Sequence, residues 1–505
     1  MLSKKINAFC LFTFAFCLVL SARAQNSLTV RDIMREPSPA GMRPDAERLS
    51  PDGRRIIFAW NAEGREPRNL YIVNSDGGEP RILVNAEQNF EARTPPQPES
   101  KLNYGLIVRD DFVRAREKNL GGVEFSPDSR RILFLQNTDI YVLDLEAKDA
   151  KPRRITRTQG TESAARWLTN DGILYQSGGN FFVLNLRETS LVQVTKEANP
   201  QAFITIFNAS AAEDGRLLAY VVSDGSRQRA LFVPNYLDEF TQAPATRRGF
   251  TEQKVYVAPT DGSREKPFEI NLPKAEGASF IRSLKWAADN ASLLVDRVDK
   301  DTKRRQLFLV HNVGGKAERT ILVTEETDAK WIAPLSRIVE PNPKNVSQIL
   351  FASEKDGFNH LYLATLERAQ PQPNPSGEIR QENASDAGFT TNVSIKQLTR
   401  GNFEIDWAKW TAGGESFIFS STEENSAERQ FYAFSTRTSD KAPVYSVEKG
   451  MKTNPQIDKT GGQPTLLYGF SQWKQPTELY AVKVCPGCRG LAIPRQITKS
   501  TPEGF

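Results

Sequence analysis

Phe351-Ala-Ser-Glu-Lys-Asp-Gly-Phe-Asn-His-Leu-Tyr-Leu363, followed by Gln397-Leu-Thr-Arg-Gly-Asn-Phe-Glu-Ile405, is the stretch whose reading decides the fold. It reads as strand, turn, strand and closing strand. Ile349, Leu350 and Phe351 end an apolar run. Asp356-Gly357 is a tight-turn dipeptide, because glycine accepts the positive φ that hairpin turns need. Leu361, Tyr362 and Leu363 begin the return strand, and Gln397-Leu398-Thr399 closes the unit.

Weaker copies of this unit recur along the chain, separated by Asp-Gly, Gly-Gly and Pro turns, while long helical periodicity is nearly absent. The first opens on Arg48-Leu-Ser-Pro-Asp-Gly53, the second on Val123-Glu-Phe-Ser-Pro-Asp128 and the third on Ala165-Arg-Trp-Leu168. The fourth begins near Phe207 and the fifth at Leu284-Lys-Trp286; the sixth contains the stretch quoted above. Asp406-Trp-Ala-Lys-Trp410 opens the seventh and Pro464–Phe470 the eighth. One such unit cannot bury both faces of its sheet, whereas a ring of them can, leaving only short edges. The expected fold is therefore an all-β propeller of eight four-stranded blades over residues 45–498, with seven blades as the alternative. Insertions are expected near 85–120, 234–253 and 369–392. The last of these is rich in Pro, Gln, Asn, Ser and Gly and reads as a disordered surface loop.

The N-terminus reads differently. Lys4 and Lys5 precede an apolar run from Ala8 to Leu20, and Ala22-Arg-Ala24 offers the small residues of a signal peptidase site. Residues 1–24 are read as a signal peptide, 25–44 as an N-terminal segment and 499–505 as a tail or linker. The chain is expected to be exported, periplasmic or extracellular, with no membrane span, since the run is short of the roughly 20 apolar residues a spanning helix needs. Without residues 1–24 the chain keeps 63 basic residues against 61 acidic, a net charge of +2, which gives no support to nucleic-acid binding. Of four cysteines only Cys485 and Cys488 survive cleavage, in Cys485-Pro-Gly-Cys488. In an exported chain this turn is read as a local disulfide, with redox chemistry as the alternative; two thiols are too few for a closed zinc site.

Ser353-Glu-Lys-Asp-Gly-Phe-Asn-His-Leu-Tyr362, then Leu398-Thr-Arg-Gly-Asn-Phe-Glu404 and Ser421-Thr-Glu-Glu-Asn-Ser-Ala-Glu-Arg-Gln-Phe-Tyr432, are similar in order and content to blades of the dipeptidyl peptidase IV type. The chain thus resembles the N-terminal propeller of the prolyl oligopeptidase family of serine peptidases, without the catalytic domain. The resemblance implies a role in proteolysis, gating peptide substrate or meeting a separate α/β-hydrolase domain or other protein partner, with an apolar patch for that domain on one rim. It also makes Ser353, Glu354, Asp356, Gly357, His360 and Tyr362 a structural blade motif. The alternative is a TolB-like periplasmic binding or scaffold propeller unrelated to proteolysis, since such propellers share the Ser-Pro-Asp-Gly repeats.

No catalytic, cofactor-binding or metal-ligating residue is expected on this chain. An α/β-hydrolase serine sits in Gly-x-Ser-x-Gly, where side chains beside it would clash. Gly277-Ala-Ser-Phe-Ile281 and Gly414-Glu-Ser-Phe-Ile418 come near it, but both lack the second glycine. Only His311 and His360 exist to act as base, and no histidine follows Ser416. Asp296, Asp299 and Asp301 lack the glycine and later glutamate of an EF-hand and read as a solvated turn. The Glu-Glu pair with which dipeptidyl peptidases of this family grip a free amine is absent between the third and fourth units, where only Glu188 and Glu197 occur.

Overall fold

The computed structural model describes residues 29–35, 37–38, 41–91, 110–234, 240–248, 251–332, 338–368, 389–445, 448–485 and 492–501. Eight antiparallel four-stranded sheets follow one another along the chain as the blades of a propeller, over residues 45–84, 120–154, 163–193, 204–269, 279–327, 339–397, 405–443 and 451–496. They are numbered blades 1 to 8 here. In seven of them the strands pair in chain order; blade 4 also inserts a separate hairpin, Arg229–Pro234 against Phe240–Arg248. The expected surface insertion near 234–253 is therefore partly ordered strand, and Glu252 already begins the third strand of blade 4. Likewise Phe389–Gln397, the outer strand of blade 6, claims the end of the insertion expected at 369–392. Residues 1–24, read above as a signal peptide, and residues 369–388 of that insertion lie outside the described residues.

The apolar runs are continuous, not alternating, because each middle strand is covered on both faces. Side chains on a strand point alternately to opposite sides. Ile56 and Phe58 accordingly pack with Leu467, Leu479 and Ala481 of blade 8, while Ile57 between them packs with Ile132 and Phe134 of blade 2. Leu350 and Ala352 face blade 7, and Ile349 and Phe351 face blade 5. Eight such clusters, one per seam, run round the ring, and the seam between blades 8 and 1 closes it. At that seam Gly53 has φ +70°, and a Cβ there would meet Asp458 Oδ2 at 2.0 Å, so the closure requires glycine.

A threonine just after the outer strand clasps four of the blades. Thr156, Thr195, Thr399 and Thr498 each accept a hydrogen bond at Oγ1 from the backbone N–H of Ile140, Phe181, Leu361 and Leu479, at 2.8–2.9 Å. The residue before each of those N–H groups is polar and reaches the same threonine: Asp139, Asn180, His360 and Glu478. Glu478 also accepts from Ser500 N at 2.6 Å, so residues expected to begin a free tail are pinned to blade 8. Among the described residues no helix is long and apolar enough to cross a membrane.

Candidate functional site: the charged central channel

The innermost strands ring a central cavity of about 740 Å³. One equivalent position recurs on each strand, and in blades 1 to 6 its residue lines the cavity. The odd blades place Arg48, Arg166, Lys285 and Lys409 there. The even blades place Glu124, Ser210, Glu340 and Gln456. Cation and acceptor thus alternate around the ring.

Local backbone geometry sets this position. In blades 1, 2, 4 and 8 the pairing of the first strand slips just before it, at Asp45/Arg48, Gly121/Glu124, Phe207/Ser210 and Thr453/Gln456. Blade 3 slips at the corresponding place. The residue two before the ring position then has positive φ: Ala46 53°, Gly122 58°, Ala164 49°, Asn208 50° and Asn454 49°. A left-handed conformation costs an L-residue roughly 1–2 kcal/mol, and β-bulges re-aim the side chains that follow them. Four of these five residues are not glycine, so blades 1, 3, 4 and 8 hold the bulge at a cost in backbone strain.

Neighbouring blades are tied through the ring. The indole N–H groups of Trp167, Trp286 and Trp410 donate to the carbonyls of Glu124, Ser210 and Glu340 on the preceding blade, at 3.3, 2.8 and 3.0 Å. Glu124 Oε2 accepts from Trp167 N at 2.9 Å. Gln456 plays that part at the closing seam, accepting from Leu49 N at 3.0 Å and donating to Glu47 O at 2.8 Å. Glu340 Oε1 lies 2.6 Å from Lys409 Nζ and 3.6 Å from Lys285 Nζ. Arg166 donates from a terminal nitrogen to Ala209 O at 2.9 Å, and its buried Nε has no acceptor among the described residues. Burial pushes the Glu124 carboxyl above the usual carboxylate range, against the pull of the Trp167 N–H and the cations Arg166, Arg48 and Lys459. Burial also draws the Arg166 guanidinium below its ordinary value, with Glu124 opposing. At the mouth Lys459 of blade 8 meets Glu213 of blade 4 at 3.2 Å, an ion pair between opposite blades.

The residues singled out from sequence lie elsewhere. Gly357, at φ +102°, makes the hairpin turn, and Asp356 accepts from Gln397 across the blade. Ser353 Oγ accepts from Lys355 N at 3.3 Å. His360 is fully buried: its Nε2 is 2.9 Å from Gly401 O and its Nδ1 3.1 Å from Thr399 Oγ1. A carbonyl only accepts, so the proton sits on Nε2. Tyr362 stacks on Phe351 and is pushed up to about 12 by burial, with Asp356 and Glu326 adding to it. Glu354 adds negative potential at the buried Arg305. Cys485 is disulfide-bonded, and Cys488 lies outside the described residues.

Ser279 and Ser416 are strand residues. His311 does meet a serine and an aspartate, but in the wrong order for a triad. The fully buried Ser292 stands in the middle, 2.9 Å from His311 Nδ1 and 2.6 Å from Asp289 Oδ2. Asp296, expected in a solvated turn, is instead 1 % exposed and paired with Arg305. Among the described residues, no group of three or more His, Cys, Asp or Glu gathers as a metal site. Among the described residues, the exposed large apolar side chains include Leu191, Leu322, Trp331 and Trp473, on different blades and connections, and Val30, Ile33 and Met34 near the N-terminal end of the described chain.

The chain is thus an eight-bladed propeller whose inner strands ring a charged cavity. The family described as the dipeptidyl peptidase IV (DPP IV) N-terminal region matches residues 109–461, and the chain belongs to that family. It is 20 % identical over 445 residues to a probable dipeptidyl-aminopeptidase B of Sordaria macrospora, covering 78 % of this chain and 45 % of that one. Against the protein of the same description from Neurospora crassa it is 22 % identical over 455 residues, covering 77 % and 46 %. The chain thus spans about half the length of the curated relatives it matches. In fold it is similar to Porphyromonas gingivalis dipeptidyl peptidase 4, with TM-score 0.60, 15 % identity, and 87 % of this chain and 58 % of that one covered.

Proposed function

We propose that this chain is an exported, non-catalytic propeller that serves peptide hydrolysis by receiving peptides in its central channel. The bond-breaking serine would belong to an α/β-hydrolase domain outside these 505 residues. The cavity carries this reading: it holds about 740 Å³ and is lined by cations of blades 1, 3 and 5 alternating with acceptors of blades 2, 4 and 6. Family membership supports the link to peptidases. The missing Gly-x-Ser-x-Gly supports the lack of a nucleophile, as do the positions of both histidines, His360 in a blade clasp and His311 beside a buried serine.

The test uses the chain purified after export. It should begin at Gln25 by N-terminal sequencing, leave a fluorophosphonate probe unreacted, release nothing from chromogenic peptides, and bind a fluorescent peptide saturably. A serine labelled by the probe, with labelling abolished by heat denaturation, overturns the non-catalytic role. Absence of saturable peptide binding overturns the gating role in favour of the scaffold reading.

A further inference from the structure

The charges of the ring alternate but do not balance. Four cations face only two carboxylates. Glu340 already answers both Lys409 and Lys285, and Glu124 gives one oxygen to the Trp167 N–H. At blade 4 the ring position is Ser210, which brings no charge between Arg166 of blade 3 and Lys285 of blade 5. The nearby carboxylate of that blade, Glu213, is turned to Lys459 across the mouth. Arg166 meanwhile gives one N–H to a backbone carbonyl and keeps a buried Nε without an acceptor among the described residues. A guanidinium partly withdrawn from water holds a carboxylate more strongly than one at the surface, and its planar fork fits two oxygens.

We infer that the blade 4 side of the channel is a carboxylate-binding site that seats the C-terminal carboxylate of a peptide between Arg166 and Lys285. The inference rests on the peptide-binding reading above and adds which chemical group enters the ring. The mouth does not bar it. Lys459 and Glu213 are 73 % and 75 % exposed, and exposed ion pairs contribute so little that an entering peptide can part this one.

The experiment measures fluorescence anisotropy of N-terminally labelled tetraalanine acid, tetraalanine amide and an aspartate-containing amide with the full chain at low salt. The acid should bind about tenfold or more tighter than the plain amide, the size of one charge-assisted hydrogen bond, and should weaken as salt is raised. Ser210→Glu supplies the missing carboxylate and should bring acid and amide to the same affinity. Lys285→Gln should act in the same direction, so a folding defect in one variant leaves the other to decide. An aspartate-containing amide that binds as tightly as the acid supports a carboxylate site but overturns its assignment to the peptide C-terminus, naming an acidic side chain instead. Equal binding of all three peptides by the native chain overturns the carboxylate site while leaving peptide gating intact. So does an acid preference that survives both substitutions. No saturable binding of any peptide overturns both.

Discussion

Among the described residues Arg305 is the largest fully buried side chain, and removing its charge should be among the costliest single changes in blade 5. It grips Asp296 with two nitrogens, Nε at 3.0 Å from Oδ1 and a terminal nitrogen at 3.3 Å from Oδ2, both residues being 1 % exposed. Its other terminal nitrogen crosses the seam to Ala352 O of blade 6 at 2.7 Å and lies 3.7 Å from Glu326, whose Oε1 has no hydrogen bond among the described residues. Burial alone would draw the guanidinium down, yet Asp296 and Glu326 hold it above its ordinary value. Breaking a buried pair from one side costs about 3–5 kcal/mol, because the other charge stays behind uncompensated. Asp296→Asn leaves Arg305 with Glu326 and the Ala352 carbonyl, so about 3 kcal/mol is expected. Arg305→Met abandons two carboxylates, so about 5 kcal/mol is expected. With roughly 2.1 cal/mol/K of unfolding entropy per residue, a cooperative ring of about 450 residues loses about 1 °C per kcal/mol, which puts the shifts near 3 and 5 °C. Asp296→Leu with Arg305→Met removes one of the two abandoned carboxylates and leaves Glu326, so it should recover part of the loss, since apolar replacement of a buried pair is often neutral. Thermal unfolding followed by circular dichroism at pH 7 reads these shifts. An Arg305→Met midpoint within about 1 °C of native, or a double variant no better than Arg305→Met alone, would refute the reasoning.

Thr399→Val removes the acceptor of Leu361 N–H and the partner of His360 Nδ1, and should cost about 2–3 kcal/mol in a thermal melt, while Thr399→Ser should stay near native. Burial pushes Lys452 from 10.5 down to about 8, where it touches Gln430 Oε1 at 2.9 Å and no carboxylate among the described residues. Between those two values the unfolded chain holds a proton that the folded chain does not, so stability should rise from pH 8 to 9.5. Melts of Lys452→Met across that range should lack the rise. Mass spectrometry of the freshly isolated, unreduced protein should find the Cys485–Cys488 peptide lighter by two hydrogens; two free thiols would count against the pairing.

The middle strands were legible from sequence because both of their faces are buried, which writes long apolar runs such as Arg55–Trp60 and Gln348–Ser353 between turn residues. The innermost strands were harder to read. One of their faces meets the channel, and bulges break their alternation, so Met451–Ile457, with a proline and four polar residues, carries no strand pattern. Asp296 misled for a related reason. In sequence it stands with Asp299 and Asp301 and looks like part of an acidic turn. In the hairpin Arg305 pairs with Val298, two places along the strand from Asp296, and its side chain reaches the carboxylate. A buried charge is recognised by its partner, and that partner is set by register, not by neighbours in the chain.

The channel ring shows the same limit on a larger scale. Each of its members is an unremarkable polar residue beside Leu, Phe, Ala, Pro or Trp near the end of an inner strand. Nothing about Arg48, Arg166, Lys285 and Lys409 joins them until eight strands stand side by side. The alternation then has a local cause, because the odd blades 3, 5 and 7 carry the tryptophans that donate backward to the even blades. The even residue, Glu124 or Gln456, also takes a backbone N–H of the following odd blade. Acceptors therefore collect on even blades and cations on odd ones, each seam fixing a pair. Ser210 keeps the backbone half of this arrangement, receiving Trp286, but lacks the side-chain half. Stability alone would favour a glutamate there between Arg166 and Lys285, as at blades 2 and 6. Gln456 also lacks a charge but keeps the side-chain bonds across its seam, so Ser210 is the even position whose side chain answers neither neighbour, and a ligand carboxylate there would fill the gap.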